Sequence, residues 1–233
     1  MANIVKLKHL EHLEDEMLNY GTDGCQAAVR FMNELVKMLG KKGSSAFMQT
    51  KWDGAPSVVC GTDPASGMFF VGNKSVFNTT NAKMCFTQED IDFYYPDKGG
   101  LNQKLSMALE YFSQLNIKGV VQGDLMFTEE DKKNETINGE NLITFRANTI
   151  TYGIPVNHPI GKEVSDAKIG VVFHTHYKGS DLSTATAQAG APIEQFSKIK
   201  ECAVIQNDTP MNDIAIDEST LTKFKANVSD IEK

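Results

Sequence analysis

Apolar residues recur at spacings of three and four over residues 6–19, at Leu7, Leu10, Leu13, Met17 and Leu18, with Gly21 just after. That period predicts an amphipathic helix stopped by a glycine. Asp23 opens a second helix, with Gln26 as its capping-box partner and Ala28, Phe31, Leu35, Met38 and Leu39 as its apolar stripe before Gly40. After a polar loop at Lys41-Lys42-Gly43-Ser44-Ser45 the pattern shortens. The apolar runs Ala46-Phe47-Met48 and Val58-Val59-Cys60 flank a turn, and Met68-Phe69-Phe70-Val71 forms a third strand. Residues 73–100 carry no clear period and read as irregular. Leu105, Ala108, Leu109 and Phe112 mark the buried side of a helix from Leu101 to Leu115.

A long strand follows from Ile117 to Phe127, apolar from Val120 onward except for Gln122 and Asp124 near its middle. Residues 128–140 are a solvated loop or hairpin. Leu142-Ile143-Thr144-Phe145 and Thr149-Ile150-Thr151-Tyr152 read as strands broken at Arg146-Ala147-Asn148, and Lys168 to His174 as another. Beyond residue 178 the pattern weakens. Ser183 to Ala191 is small and polar and reads as a mobile linker, with short helices opening at Pro192 and Ser219. Two helices, then strands interrupted by one more helix, predict an α+β fold with mainly antiparallel sheets and flanking helices. Residues 1–178 form the expected core, and 179–233 a C-terminal linker with short helices.

Composition narrows the partners more than the fold. The chain has 233 residues, 41% hydrophobic and 23% charged, with a formal net charge of −7. An acidic total argues against bulk electrostatic binding of nucleic acid, but leaves room for a local basic groove. No signal peptide is read at the N-terminus, and no apolar run approaches the ~20 residues that span a bilayer. The expectation is a cytoplasmic protein without a membrane partner. Cys25, Cys60, Cys85 and Cys202 lie far apart with no CxxC spacing, which predicts free thiols rather than a zinc site or disulfide frame. His9 and His12 share one helix face, and His174 and His176 alternate on a strand. Neither pair has a third ligand near it in sequence, so both read as ordinary polar positions and no metal ligand is assigned.

The chemistry concentrates at Thr50-Lys51-Trp52-Asp53-Gly54-Ala55-Pro56-Ser57. Read as strand, turn and strand, it puts Lys51 and Asp53 on one face with Trp52 on the other. Gly54 and Pro56 bend the chain. A lysine beside a pocket becomes a nucleophile when its amine is held neutral. Asp124, a carboxylate in an apolar run, must be paired, solvated by a cleft or aimed at a ligand.

Lys51-Trp52-Asp53-Gly54 resembles the nucleotidyl-acceptor motif of the covalent nucleotidyltransferases, which include the ATP-dependent DNA and RNA ligases and the mRNA capping enzymes. Gly72-Asn73-Lys74-Ser75 follows a strand where that superfamily has a basic turn. Val120-Val121-Gln122-Gly123-Asp124 matches its apolar strand ending in Gly-Glu or Gly-Asp. A narrower group of T4-like phage proteins, those of cyanophages especially, is similar over residues 9–178. It shares the Lys-Trp-Asp-Gly-Ala-Pro core, His9 to Asp15, and Phe145-x-x-Asn148-Thr149-Ile150. The resemblance implies a ligase-type, ATP-grasp-like core and a lysyl-AMP on Lys51, with ATP and Mg²⁺ required. It implies nucleotide contacts from Asp53, Gly54, Lys74, Asp124 and Tyr152, with Phe145 in reserve for Tyr152, and RNA or DNA ends as acceptors.

The superfamily's later Glu-Gly motif has no match: Ile169-Gly170-Val171-Val172 keeps the glycine and valines without the glutamate. Lys223-Phe224-Lys225 carries the letters of the final Lys-x-Lys. Three readings therefore stay open: a nucleotidyltransferase, a nucleotide- or nucleic-acid-binding module on the same fold without turnover, and an assembly protein with no nucleotide.

Overall fold

The computed structural model describes residues 13–39, 46–49, 51–96, 100–206, 208–211 and 217–231. His9, His12, the start of the first expected helix and the loop at 41–45 lie outside them. In chain order the elements are α1 (Leu13–Leu39), β1 (Ala46–Gln49), β2 (Ser57–Thr62), β3 (Phe69–Gly72), α2 (Gln88–Tyr94), α3 (Leu101–Phe112), β4 (Val120–Thr128), β5 (Lys133–Ile137), β6 (Glu140–Arg146), β7 (Thr151–Pro155), α4 (Pro159–Asp166), β8 (Ile169–Lys178), β9 (Thr186–Ala189), β10 (Cys202–Val204), β11 (Asp208–Met211) and α5 (Glu218–Ile231). The fold is α+β, with antiparallel pairings except for the parallel pair of β10 and β8. Among the described residues no helix is long and apolar enough to cross a membrane.

The chain divides into two compact units, one over residues 51–207 and one formed by residues 10–50 with 208–233. In the second, α1 packs with α5 and β1 pairs β11, Ala46 opposite Met211 and Gln49 opposite Asp208. Gly21 breaks α1 with φ 57° and ψ −131°, a conformation open to glycine and costly for other residues. The break folds the helix back so closely that a Cβ on Gly24 would lie 1.8 Å from the Glu16 carbonyl oxygen. The glycine stop expected between two helices is therefore present.

In the first unit a six-stranded sheet runs β8–β4–β2–β3, with β10 and β9 both paired to the outer edge of β8. β4 is its central strand, buried at every position but Asp124. One sheet face carries Val58, Cys60, Val121, Leu125, Val171 and Phe173 against Leu105, Ala108 and Phe112 of α3 and Ile91 of α2. Phe112 meets Phe173 edge to face, with ring centroids 5.7 Å apart. Burying each such side chain contributes ~1.5–3 kcal/mol. The other face splits. At one end Val59, Phe70, Val120 and Tyr177 pack with Val76 and Phe77. At the other, Met126, Phe127 and Val172 pack with Ile143, Phe145 and Ile154 of the three-stranded sheet β5–β6–β7 and with Val164 of α4.

Three elements arise where the pattern was read as irregular or as linker. α2 is fixed by a reciprocal capping box: Asp90 N–H donates to Thr87 Oγ1 and Thr87 N–H to the Asp90 carboxylate. α4 starts at Pro159, with His158 Nδ1 accepting from Ile160 N–H. It ends at Lys132, whose Nζ donates to the carbonyls of Val164, Ser165 and Ala167 at 3.0, 3.0 and 2.6 Å. The small residues after 178 are packed rather than loose: Leu182, Ala185 and Ala187 are buried in the cluster that holds Phe77 and Tyr177.

Cys60, Cys85 and Cys202 are buried and Cys25 is exposed. Burial pushes the Cys85 thiol up to about 12 and Cys60 and Cys202 higher still, so the three stay protonated and unreactive. In native buffer a thiol reagent should modify Cys25 alone, with the other three reacting only when the chain is denatured. Fast modification of a second cysteine in the folded protein would contradict this core.

Candidate functional site

The site is built from β4 outward. β2 pairs with it antiparallel, Ser57 opposite Asp124 and Val58 opposite Gly123. The segment before β2 has no regular structure and lies flat on β4. Ala55 N–H donates to the Leu125 carbonyl at 2.9 Å, and Leu125 N–H to the Pro56 carbonyl at 3.0 Å. The Ala55–Pro56 peptide is cis. Gly54 is pressed so close that a Cβ there would lie 2.8 Å from both the Asp124 Cβ and the Leu125 carbonyl oxygen. Glycine is thus required here by close contact. Lys104 Nζ of α3 donates to the Ala55 carbonyl at 3.4 Å.

This corrects the strand–turn–strand reading of Lys51. β1 and β2 are not partners; β1 pairs β11 instead. Lys51 and Asp53 precede β2 outside any strand, so the side-chain alternation invoked for them does not apply. Lys51 is exposed.

Asp53 holds this segment to the turn between β6 and β7. One carboxylate oxygen accepts from Asn148 Nδ2 at 3.0 Å, and the other from Thr149 N–H at 3.1 Å and from the Thr149 hydroxyl. The Asp53 N–H donates to Tyr152 Oη at 2.8 Å. The bonds from the Thr149 hydroxyl, then from Asn148 and the Thr149 backbone, favour the anion and lower its pKa from 3.8 to about 2.

Trp52 stacks on Tyr152, centroids 5.0 Å apart at 30°. Tyr152 in turn lies against its cross-strand partner Phe145 at 5.7 Å and 27°, and Phe145 against Phe127 at 4.8 Å. Tyr152 therefore engages the motif's own tryptophan and backbone. Phe145 is 2% exposed, within the core beneath it.

Asp124 lies on the face of β4 opposite α3. Two irregularities in the β4–β8 ladder shape that face. Gln122 pairs with Thr175 and Gly123 with Phe173, so His174 is an extra residue on β8. The bulge brings His174 and Thr175 together on one side, His174 Nδ1 2.8 Å from Thr175 Oγ1, and points His174 Nε2 at Asp124 Oδ2, 3.6 Å away. Both side chains keep access to solvent, 29% and 22% exposed. The same bulge breaks the alternation expected of His174 and His176. His176 stands opposite Val121 and bonds the Gly190 carbonyl through Nδ1 at 2.7 Å. The residue that sequence reading undervalued is His174. Its two-residue spacing from His176 suggested a shared face, and only the bulge assigns it to Asp124.

Lys74 is exposed at the start of a 3₁₀ turn after β3, where Asn73 caps Ser75 N–H. No hydrogen bond or ion pair among the described residues joins it to Asp53 or Asp124. Lys223-Phe224-Lys225 lies within α5. Among the described residues no three His, Cys, Asp or Glu side chains converge on a metal position.

The chain belongs to a family of unknown function, DUF6267, whose model matches residues 3–233. No curated protein and no solved structure matches it.

Trp52 is the sole tryptophan, so its fluorescence reports this loop directly. A carboxylate whose folded pKa is depressed stabilises the fold above its ordinary value of ~3.9, and that contribution is lost as pH falls toward the folded value. Trp52 emission should therefore shift between about pH 4 and pH 2, the window set by the lowered Asp53 pKa. Asp53→Asn should show the shifted emission already at pH 7. Unchanged emission in Asp53→Asn, with far-UV circular dichroism intact, would mean that the carboxylate does not hold the loop.

Proposed function

We propose that the chain is an ATP-dependent nucleotidyltransferase of the RNA or DNA ligase type, taking AMP covalently onto Lys51. The observation that carries this reading is the placement of the Lys51–Gly54 segment. Its Gly54 packs against Asp124, the next two residues bond Leu125 of β4, and Asp53 is held by Asn148 and Thr149. An exposed lysine thus stands three residues before a glycine packed against the partly exposed Asp124. Such placement converts an encounter with a bound phosphate into an intramolecular step.

In the proposed reaction the Lys51 Nζ lone pair attacks the α-phosphorus of ATP. The bond from that phosphorus to the bridging oxygen breaks, and pyrophosphate leaves with the electron pair. A proton passes from Nζ to water, leaving a phosphoramidate. Asp124, oriented by His174, accepts a hydrogen bond from a ribose hydroxyl. Lys74 reaches the phosphates from its turn. Tyr152 receives the adenine if Trp52 gives up its place on the ring. A 5′-phosphate at an RNA or DNA end then accepts the AMP.

A second reading has its own observation. Ile169-Gly170-Val171-Val172 keeps the glycine and valines of the later motif without its glutamate, which favours a nucleotide- or nucleic-acid-binding module without turnover.

Intact-mass analysis after incubation with ATP and Mg²⁺ separates the two. The first predicts a gain of one AMP by the wild-type chain and none by Lys51→Ala. A raised Tm with ATP but no adduct would support the binding module. No adduct and no shift in Tm would sink both.

A further inference from the structure

An exposed carboxylate is well solvated in water, and surface pairs contribute little. Asp53 nevertheless has both carboxylate oxygens filled by protein donors, and its backbone N–H filled as well. The donors to the carboxylate come from two consecutive residues of one turn, Asn148 and Thr149, and the N–H is accepted by the hydroxyl of Tyr152, which follows on β7. The Thr149 backbone and hydroxyl both bond one oxygen, and the Asn148 amide bonds the other. That arrangement fixes the plane of the carboxylate as well as its position. It matters because residues 51–54 have no ladder of their own: the backbone bonds to β4 begin at Ala55 and Pro56.

We propose that Asn148 and Thr149 are positioning residues for Lys51, acting through Asp53. The turn between β6 and β7 is then part of the reactive centre without touching the substrate. It couples the three-stranded sheet to the lysine loop, so a change in the tilt of that sheet moves the amine relative to Asp124. The inference deepens the lysyl-AMP reading and rests on it for the chemical step. Loss of the strap leaves the hydrophobic contacts of Phe145 and Tyr152 in place, so the fold survives while the loop shifts. Misplacement of a reacting group by about 1 Å costs roughly 100-fold in rate.

The test compares Asn148→Ala, Thr149→Val and Thr149→Ser in the full chain. Thr149→Val removes the hydroxyl at nearly constant volume; Thr149→Ser retains it. Single-turnover AMP transfer should slow about 10- to 100-fold in Asn148→Ala and Thr149→Val. The ATP concentration for half-maximal rate and Tm should stay close to wild type, Trp52 emission should shift, and Thr149→Ser should restore rate and emission. Brief acetylation with acetic anhydride, followed by peptide mass mapping, reads Lys51 independently of ATP. Its labelling rate should change in Thr149→Val and not in Thr149→Ser. Equal Lys51 labelling in all variants overturns the strap, whether or not the chain takes AMP. Altered labelling in a wild-type chain that forms no adduct keeps the strap and removes only the reaction assigned to it.

Discussion

The pairing of β4 with β8 decides what this protein can present to a ligand. β4 is hydrogen-bonded on both sides and buried at nearly every position, so each side chain is committed to one face. A regular ladder would have kept the two strands in strict alternation. Instead His174 is inserted on β8 and Met126 on β4. The first insertion puts His174 beside Asp124. The second turns both Met126 and Phe127 toward the three-stranded sheet, into the cluster with Phe145 and Ile154. The sheet thus keeps one continuous apolar face for α3 and opens a polar interval on the other, between two hydrophobic clusters. Gly54 and the loop it belongs to lie over that interval.

The aromatic residues extend the same logic. Phe127, Phe145, Tyr152 and Trp52 form a series from the core to the loop, each ring against the next. The inner members are held by burial and the outer ones by stacking together with the Tyr152 Oη bond to Asp53 N–H. Rigidity is handed outward from the hydrophobic cluster to a segment with no secondary structure of its own. Polar bonds alone, exposed to water, would hold that segment less firmly.

Most of the scaffold was legible because it depends on local period. β4, β6, α3 and the glycine break at Gly21 follow from spacing alone; β7, expected at Thr149–Tyr152, lies at Thr151–Pro155 and leaves Thr149 and Ile150 in the turn. The elements that escaped depend on something other than apolar period. α2 is set by Thr87 and Asp90, a capping signal inside an acidic, aromatic stretch. α4 is held at its end by Lys132, a residue from before β5. β9 packs through Ala187, too small to register as a strand. The hairpin assigned around Lys51 failed because β1 takes its partner, β11, from near the other end of the chain, and no local window contains that information. Within the site, Asp124 was visible as a charge in an apolar run. The roles of His174, Asn148 and Thr149 were not: the first depends on a bulge, the other two on a turn meeting a distant loop.

The pairing of β1 with β11 and of α1 with α5 gives the chain a nested order. Residues 51–207 fall in one unit, whereas the other is assembled from the segments before and after that span. During synthesis on the ribosome, the inner unit has its whole sheet available once β10 has emerged. α1 must wait until the last helix has been made before it meets α5. α1 is therefore made well before the helix it packs against. Through that interval its apolar residues stand as a nascent hydrophobic surface of the kind that chaperones recognise.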